Sequence, residues 1–126
     1  MWQVTYYKRP NGRQPAKDWI EDKDNNSIRP NIDAKIRTLI REGLLLRDNR
    51  VLRPIEERRR RQRGRSRVIH GFFELTGKNW RIAVYHDVKK DMFLLFWGWR
   101  KTRQSEEREV ERAIRLLEEY KSRQEE

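Results

Sequence analysis

Seven of the ten residues from position 58 to 67 are arginine: Arg58, Arg59, Arg60, Arg61, Arg63, Arg65 and Arg67. Like charges at that density repel one another and favour extension, and almost nothing apolar interrupts them. No core can be built through such a stretch, so it reads as an exposed loop over residues 56–67. A second cluster, Arg100, Lys101 and Arg103, follows two strand-like segments later. Residues 58–104 hold fourteen Lys and Arg against three Asp and Glu, a balance of +11 that equals the excess of the whole chain. Residues 1–57 hold twelve against nine, and residues 105–126 five against eight. A field this lopsided attracts polyanions, because neutralising phosphates releases condensed counterions; binding should weaken steeply as salt rises.

The 126 residues fit a single domain spanning 1–126. A chain of that length buries roughly two thirds of the surface it would expose unfolded. Only 35% of the residues are hydrophobic and 40% are charged, yet the apolar ones fall in strand-like and helix-like runs, which argues for a folded domain with charged loops. The absence of Cys excludes disulfides and thiolate chemistry. A zinc site would need both histidines plus carboxylates, so no metal and no cofactor is expected. The start of the chain has no basic segment followed by an apolar run, and no segment approaches eighteen apolar residues. The expectation is a soluble, cytoplasmic protein without a membrane partner.

Trp2, Val4 and Tyr6 alternate with polar neighbours, the period of a strand with one buried face, and Pro10, Asn11 and Gly12 end it. Pro15 suits the first turn of a short helix carrying Ala16, Trp19 and Ile20, and Asp24 to Ser27 make a turn that also offers a cap. Ile28, Ile32, Ile36, Leu39 and Ile40 stripe a longer helix closed by Gly43, giving an antiparallel helix pair. Strands are expected over Val51–Ile55, Val68–Leu75, Trp80–His86 and Met92–Trp99. A hairpin turn at 76–79 and a second turn at 87–91 separate the last three. In the third of these strands Trp80, Ile82, Val84 and His86 share a face, which leaves Arg81 and Tyr85 together on the other, away from the more apolar side. Ser105 can cap a last helix with the stripe Val110, Ala113, Ile114, Leu117 and Tyr120, and residues 123–126 read as a frayed tail. The fold class is α+β: a strand and a helix pair, a mostly antiparallel sheet of four to five strands, then a C-terminal helix.

With no Cys, no Gly-rich phosphate loop and no H-x-x-x-H, most catalytic constellations are missing. Cleavage of RNA remains within reach of basic residues, since the substrate supplies its own 2′-OH nucleophile. The protein has only to orient that group, stabilise the pentavalent phosphate and assist proton transfer. Arg81, Arg100 and Lys101 are chemically sufficient for the phosphate; Tyr85, His70 and His86 are the candidate proton carriers. Each residue also has a plainer reading. Arg81 can pair with Glu74 on a neighbouring strand, and His86 shares a face with Trp80 and Ile82 as a core histidine does. Trp99 is either sheet edge or a platform for a base beside two cations.

Three ordered segments resemble a known family. Gly71-Phe72-Phe73-Glu74-Leu75, Asn79-Trp80-Arg81-Ile82 and Gly98-Trp99-Arg100-Lys101-Thr102, followed by a helix ending Leu117-Glu118-Glu119-Tyr120, are similar to the G-L-Y-E-L, N-W-R-I and G-F-x-K-K elements of RelE/ParE-superfamily toxins, nearest the phage-associated HigB-like branch. The likeness covers Val68 to Tyr120; before that it rests on element order. It implies the RelE-like fold and the toxin of a type II toxin–antitoxin pair, a metal-independent mRNA endonuclease that cleaves A-site codons by 2′-OH attack. It also implies partners: mRNA and the ribosome, at the ribosomal RNA of the A site, and a cognate antitoxin, acidic or helix-turn-helix. Arg81 matches the functional arginine of N-W-R-I and Lys101 the first lysine of K-K. Thr76 stands where the family has arginine and Thr102 replaces the second lysine; Arg100 and Arg103 are the residues expected to compensate. The arginines at 58–67 and Arg103, with Trp99, are the expected nucleic-acid contacts. The other readings are a non-catalytic ParE-like inhibitor of DNA gyrase and a phage nucleic-acid-binding protein that leaves its ligand intact.

Overall fold

The computed structural model describes residues 1–58, 66–102 and 106–124, with the side chains of Arg58 and Ser66 left aside. The N-terminal alternation forms strand β1 (Gln3–Tyr6), and Pro15 opens helix α1 (Pro15–Glu21). After a 3-10 turn at Lys23–Asn25, Pro30 sits in the first turn of α2 (Arg29–Glu42), which ends at Gly43. A second 3-10 turn, Gly43–Arg47, leads into β2 (Leu52–Arg58), β3 (Ser66–Thr76), β4 (Trp80–Asp87), β5 (Met92–Arg100) and helix α3 (Glu106–Gln124). The fold is α+β, as expected. The helix runs through Gln124, two residues into the segment expected to fray, and Ser105, its expected cap, lies outside the described residues.

The sheet order is β1-β5-β4-β3-β2. Three antiparallel ladders join β2 through β5 in sequence, and β1 closes the far edge parallel to β5, Gln3 opposite Met92 and Tyr6 opposite Leu95. A parallel pair needs a crossover, and α1 with α2 lies along it. Both helices cover one face, where Ile20, Ile32 and Leu39 meet Trp80, Ile82, Val84, Phe93 and Leu95.

The other face is not open. Ala113, Ile114, Leu117 and Tyr120 of α3 bury Phe72, Ala83, Leu94, Phe96 and Trp99 there. Arg81 and Tyr85 share the face opposite Trp80, Ile82 and Val84, as expected, but that face is covered as well: it lies under α3. An amphipathic helix must bury its stripe somewhere, and this is the sheet face that α1 and α2 leave available.

Two irregularities shape the sheet. Val84 pairs with Leu95 and Ala83 with Trp97, leaving Phe96 as an extra residue. Such a bulge resets the alternation, so Trp97 and Trp99 join Leu94 and Phe96 on the α3 side. In β3, Gly71 adopts φ +76, a left-handed conformation that suits glycine. The β3–β4 ladder begins just after it at Phe72–Tyr85, while Ser66 to Val68 pair with β2 alone, Arg58 to Glu56. Residues 56–58 and 66–67, expected in the loop, are therefore paired strand; residues 59–65 lie outside the described set. Among the described residues no helix is long and apolar enough to cross a membrane.

Candidate functional site

The three segments that carry the family resemblance meet at one end of the sheet. A tight turn joins β3 to β4, closed by Gly77 N–H donating to the Trp80 carbonyl at 3.0 Å. Arg81 lies across strand partners Thr76 and Trp99. Its Nη1 donates to the carbonyls of Gly77 at 2.6 Å and Trp80 at 2.8 Å, and its Nε stands 3.8 Å from Glu74 Oε2. Just past β5, Lys101 donates its main-chain N–H to the Asn79 carbonyl at 2.9 Å, and its side chain is exposed. Thr76, at the family's arginine position, closes the sheet instead: its hydroxyl donates to the Val51 carbonyl at 3.1 Å.

Arg81 is only 5% exposed, so it is buried and held by the main chain of its own turn. Arg100 points the other way. It is the strand partner of Trp80, on the helix-pair face, and donates from Nε to Asn25 Oδ1 at 2.9 Å and from Nη2 to the Asp24 carbonyl at 3.0 Å. Of the trio expected to grip one phosphate, Arg81 and Arg100 thus lie on opposite faces of the sheet, while Lys101, just past the end of β5, acts on Glu74 and also borders a cleft beside Arg100. Arg81 and Lys101 act on a common neighbour, since the positive charge of each favours the ionised form of Glu74. Arg100 belongs elsewhere.

The expected proton carriers are scattered. Tyr85 shares the Arg81 face but lies four residues along the strand, about 13 Å away. Its ring sits 6.1 Å from that of Tyr120 and 5.3 Å from Lys121 Nζ, and burial pushes its hydroxyl above the ordinary phenol range. His86 packs between Trp2 and Phe93, with ring centroids 5.6 Å and 5.0 Å away, and burial lowers its basicity. His70 is exposed on the part of β3 beyond the β4 ladder. Trp99, expected to offer a stacking face, is 3% exposed beneath α3 and cannot present its ring to a base. Arg67 pairs with Glu57 at 3.3 Å on the β2–β3 ribbon. The side chain of Arg58, and Arg59, Arg60, Arg61, Arg63, Arg65 and Arg103, lie outside the described residues.

Sequence reading passed over Glu74 as more than a partner. It stands opposite Arg53 on β2 and beside Arg81, and its carboxyl is pushed up by burial and by Glu106, against the pull of Arg81, Arg53 and Lys101. It lines a groove of about 960 Å³ between β2 and the first half of α3. Among the described residues, six glutamates border that groove (Glu56, Glu57, Glu74, Glu106, Glu107 and Glu111) against three arginines (Arg50, Arg53 and Arg115), so its described lining is locally acidic in a strongly basic chain. The available signal was cross-strand: in a four-residue turn Glu74 and Arg81 fall on one side of the hairpin. Among the described residues no cluster of three or more His, Asp or Glu is arranged to hold a metal ion. In comparisons with known proteins, no family model and no curated protein matches this chain.

Proposed function

We propose that this chain is the toxin of a type II toxin–antitoxin pair, a metal-independent endoribonuclease that cleaves mRNA in the ribosomal A site by 2′-OH attack. One observation carries the reading: the segments resembling the RelE/HigB-type elements, separated in sequence, meet at one end of the sheet around Glu74, Arg81 and Lys101. Lys101, an exposed cation there, contacts the phosphate. Arg81 is a positioning residue, fixing the Gly77–Trp80 turn on which Lys101 is anchored through Asn79. Glu74 is the titratable group of the cluster able to exchange a proton. The arginines at 58–67 dock on ribosomal RNA, and an acidic or helix-turn-helix antitoxin neutralises the protein, its encounter speeded by charge complementarity.

The test is primer extension on an mRNA held in purified bacterial ribosomes. Wild-type protein should produce breaks within A-site codons. Lys101→Ala should cleave roughly a hundredfold more slowly, the usual effect of losing one donor at a developing charge of about 3 kcal/mol. Intact RNA in every lane, from protein shown to be folded, would reject the proposal.

A second reading draws on the burial of Arg81 and its separation from Arg100: a non-catalytic inhibitor, ParE-like, that docks on DNA gyrase through its basic surface. Inhibition of supercoiling with no effect on ribosome-bound mRNA would favour it.

A further inference from the structure

Arg100 is withdrawn from the Arg81 cluster because it builds the wall of something else. On the helix-pair side of the sheet a cleft of about 540 Å³ opens between the end of α1, the following 3-10 turn and the 77–79 turn. That volume lies within the roughly 300–1,000 Å³ typical of small-molecule sites. Trp19 lies along one side. Its indole packs on Gly98 so closely that a Cβ there would fall 2.2 Å from Cε3, and the ring is half-buried, not sealed. Asp22 and Asp24 are exposed at the same cleft, and Arg100 and Lys101 also line it.

The floor is fixed by a short network. Asn25, 5% exposed, donates from Nδ2 to the Trp19 carbonyl at 2.7 Å and accepts from Arg100 Nε at 2.9 Å. Asp22 Oδ1 accepts the Asp24 N–H at 2.8 Å, which holds the turn. Arg100 uses Nε and Nη2 in this network, and neither bond engages Nη1. An indole, two carboxylates and two cations thus line one hydrogen-bonded cleft.

We propose that this cleft binds one guanine nucleotide of a single RNA strand, the base beside Trp19 and the phosphate toward Lys101. Stacking on an aromatic ring takes any base, and hydrogen bonds to the exposed edge select one. A carboxylate is acceptor-only. Guanine alone offers it two adjacent donors, N1–H and N2–H, and it also carries O6 and N7 as acceptors for a guanidinium or ammonium group. Adenine and cytosine set a ring acceptor beside their amino group, which a carboxylate repels, and uracil sets its one N–H between two carbonyls. That the strand is mRNA rests on the function proposed above; the base preference does not.

The experiment titrates the ¹⁵N-labelled full chain with GMP, AMP, CMP, UMP and inorganic phosphate, reading the Trp19 indole N–H and the Asn79 side-chain amide by NMR. GMP should move both signals at concentrations at least tenfold lower than the other nucleotides require. Asp22→Asn with Asp24→Asn, at exposed positions where asparagine keeps the capping oxygen, should remove the preference while leaving weak, salt-sensitive binding of all four. Lys101→Ala should weaken all four alike. Equal responses to the four nucleotides and phosphate, or no movement at millimolar GMP, would overturn the proposal. Ribosomal cleavage is scored separately: guanine-selective binding without cleavage supports the cleft and sinks only the nuclease, whereas cleavage by a chain that shows no guanine preference sinks the cleft.

Discussion

Asp87 and Tyr120 tie the C-terminal helix to the sheet through a bond between two buried groups. Asp87 is 8% exposed and Tyr120 5%. The phenol donates to Asp87 Oδ2, while Oδ1 accepts the Lys90 N–H at 3.1 Å. Burial alone would raise Asp87, but the Tyr120 hydroxyl, the Lys90 N–H and the Lys90 charge outweigh it and hold the carboxyl below its ordinary range. Tyr120 is pushed well above an ordinary phenol by burial and by the same bond. Removing the donor strands a buried carboxylate, so Tyr120→Phe should lose about 1–3 kcal/mol of stability in urea denaturation at neutral pH. A loss near zero would mean that water replaces the phenol. His86 acts in a different pH window. Burial lowers it, against the charges of Asp91 and Asp87 and with those of Arg47 and His70. A base lowered by folding leaves stability intact above its unfolded pKa, about 6.5, and removes stability as pH falls below that value. Asp87 and Glu119, both held below the carboxylate range, contribute their losses only at more acid pH. Wild-type stability should therefore drop between pH 7.5 and 5.5, and His86→Phe, seated between Trp2 and Phe93, should flatten that drop. An unchanged drop in the variant would assign it to another group.

At the scale of elements, Gly71 decides where the β2–β3 ribbon parts from β4. A Cβ there would lie 3.3 Å from both the His86 carbonyl and Tyr85 Cε1, and φ is +76. Gly71→Ala should lose about 1–2 kcal/mol from the left-handed conformation alone, measured by thermal or urea unfolding. It should also broaden or shift the NMR signals of Val68 and His70, whereas an unmoved ribbon would show that the bend is set elsewhere. The elements themselves were legible, because each announces itself through local periodicity: the Val4 alternation, the Ile32 and Leu39 stripe, the Ile114 and Leu117 stripe. What periodicity does not carry is pairing over distance. Nothing in Gln3 to Tyr6 marks it as the parallel neighbour of Met92 to Leu95, and Phe96 with Trp97 reads as ordinary strand because both positions are apolar. The bulge then sends Trp99 inward under α3. The candidate site was legible only as a list of residues. Lys101 follows the last apolar strand residue and Arg81 follows Trp80, so both could be named. That Arg81 is buried depends on which face α3 covers, and that Arg100 turns toward Asn25 depends on a contact seventy-five residues away in the chain.

The whole molecule carries charge of both signs in separate places, so its net +11 does not by itself say where a polyanion sits. The described lining of the trough between β2 and α3 is mostly carboxylate, which disfavours phosphate there and points to the arginines at 58–67 and to Lys101 at the end of the sheet as the groups that attract it. These two regions have separable roles under the proposed function, docking for the first and chemistry for the second. Salt dependence distinguishes them, because each phosphate neutralised on a single strand contributes about −0.7 to the slope of log K against log salt. Replacing the seven arginines with glutamine should flatten the slope for binding a single-stranded RNA by at most about five, while Lys101→Ala should flatten it by less than about one. On ribosomes the ranking is reversed for the cleavage step. With the arginine variant saturating the ribosome, single-turnover cleavage should proceed near the wild-type rate, whereas Lys101→Ala should remain slow at any concentration. If the arginine variant keeps the full slope, the phosphates are held elsewhere; if it loses single-turnover cleavage even when bound, docking and chemistry are one site and the division of roles fails.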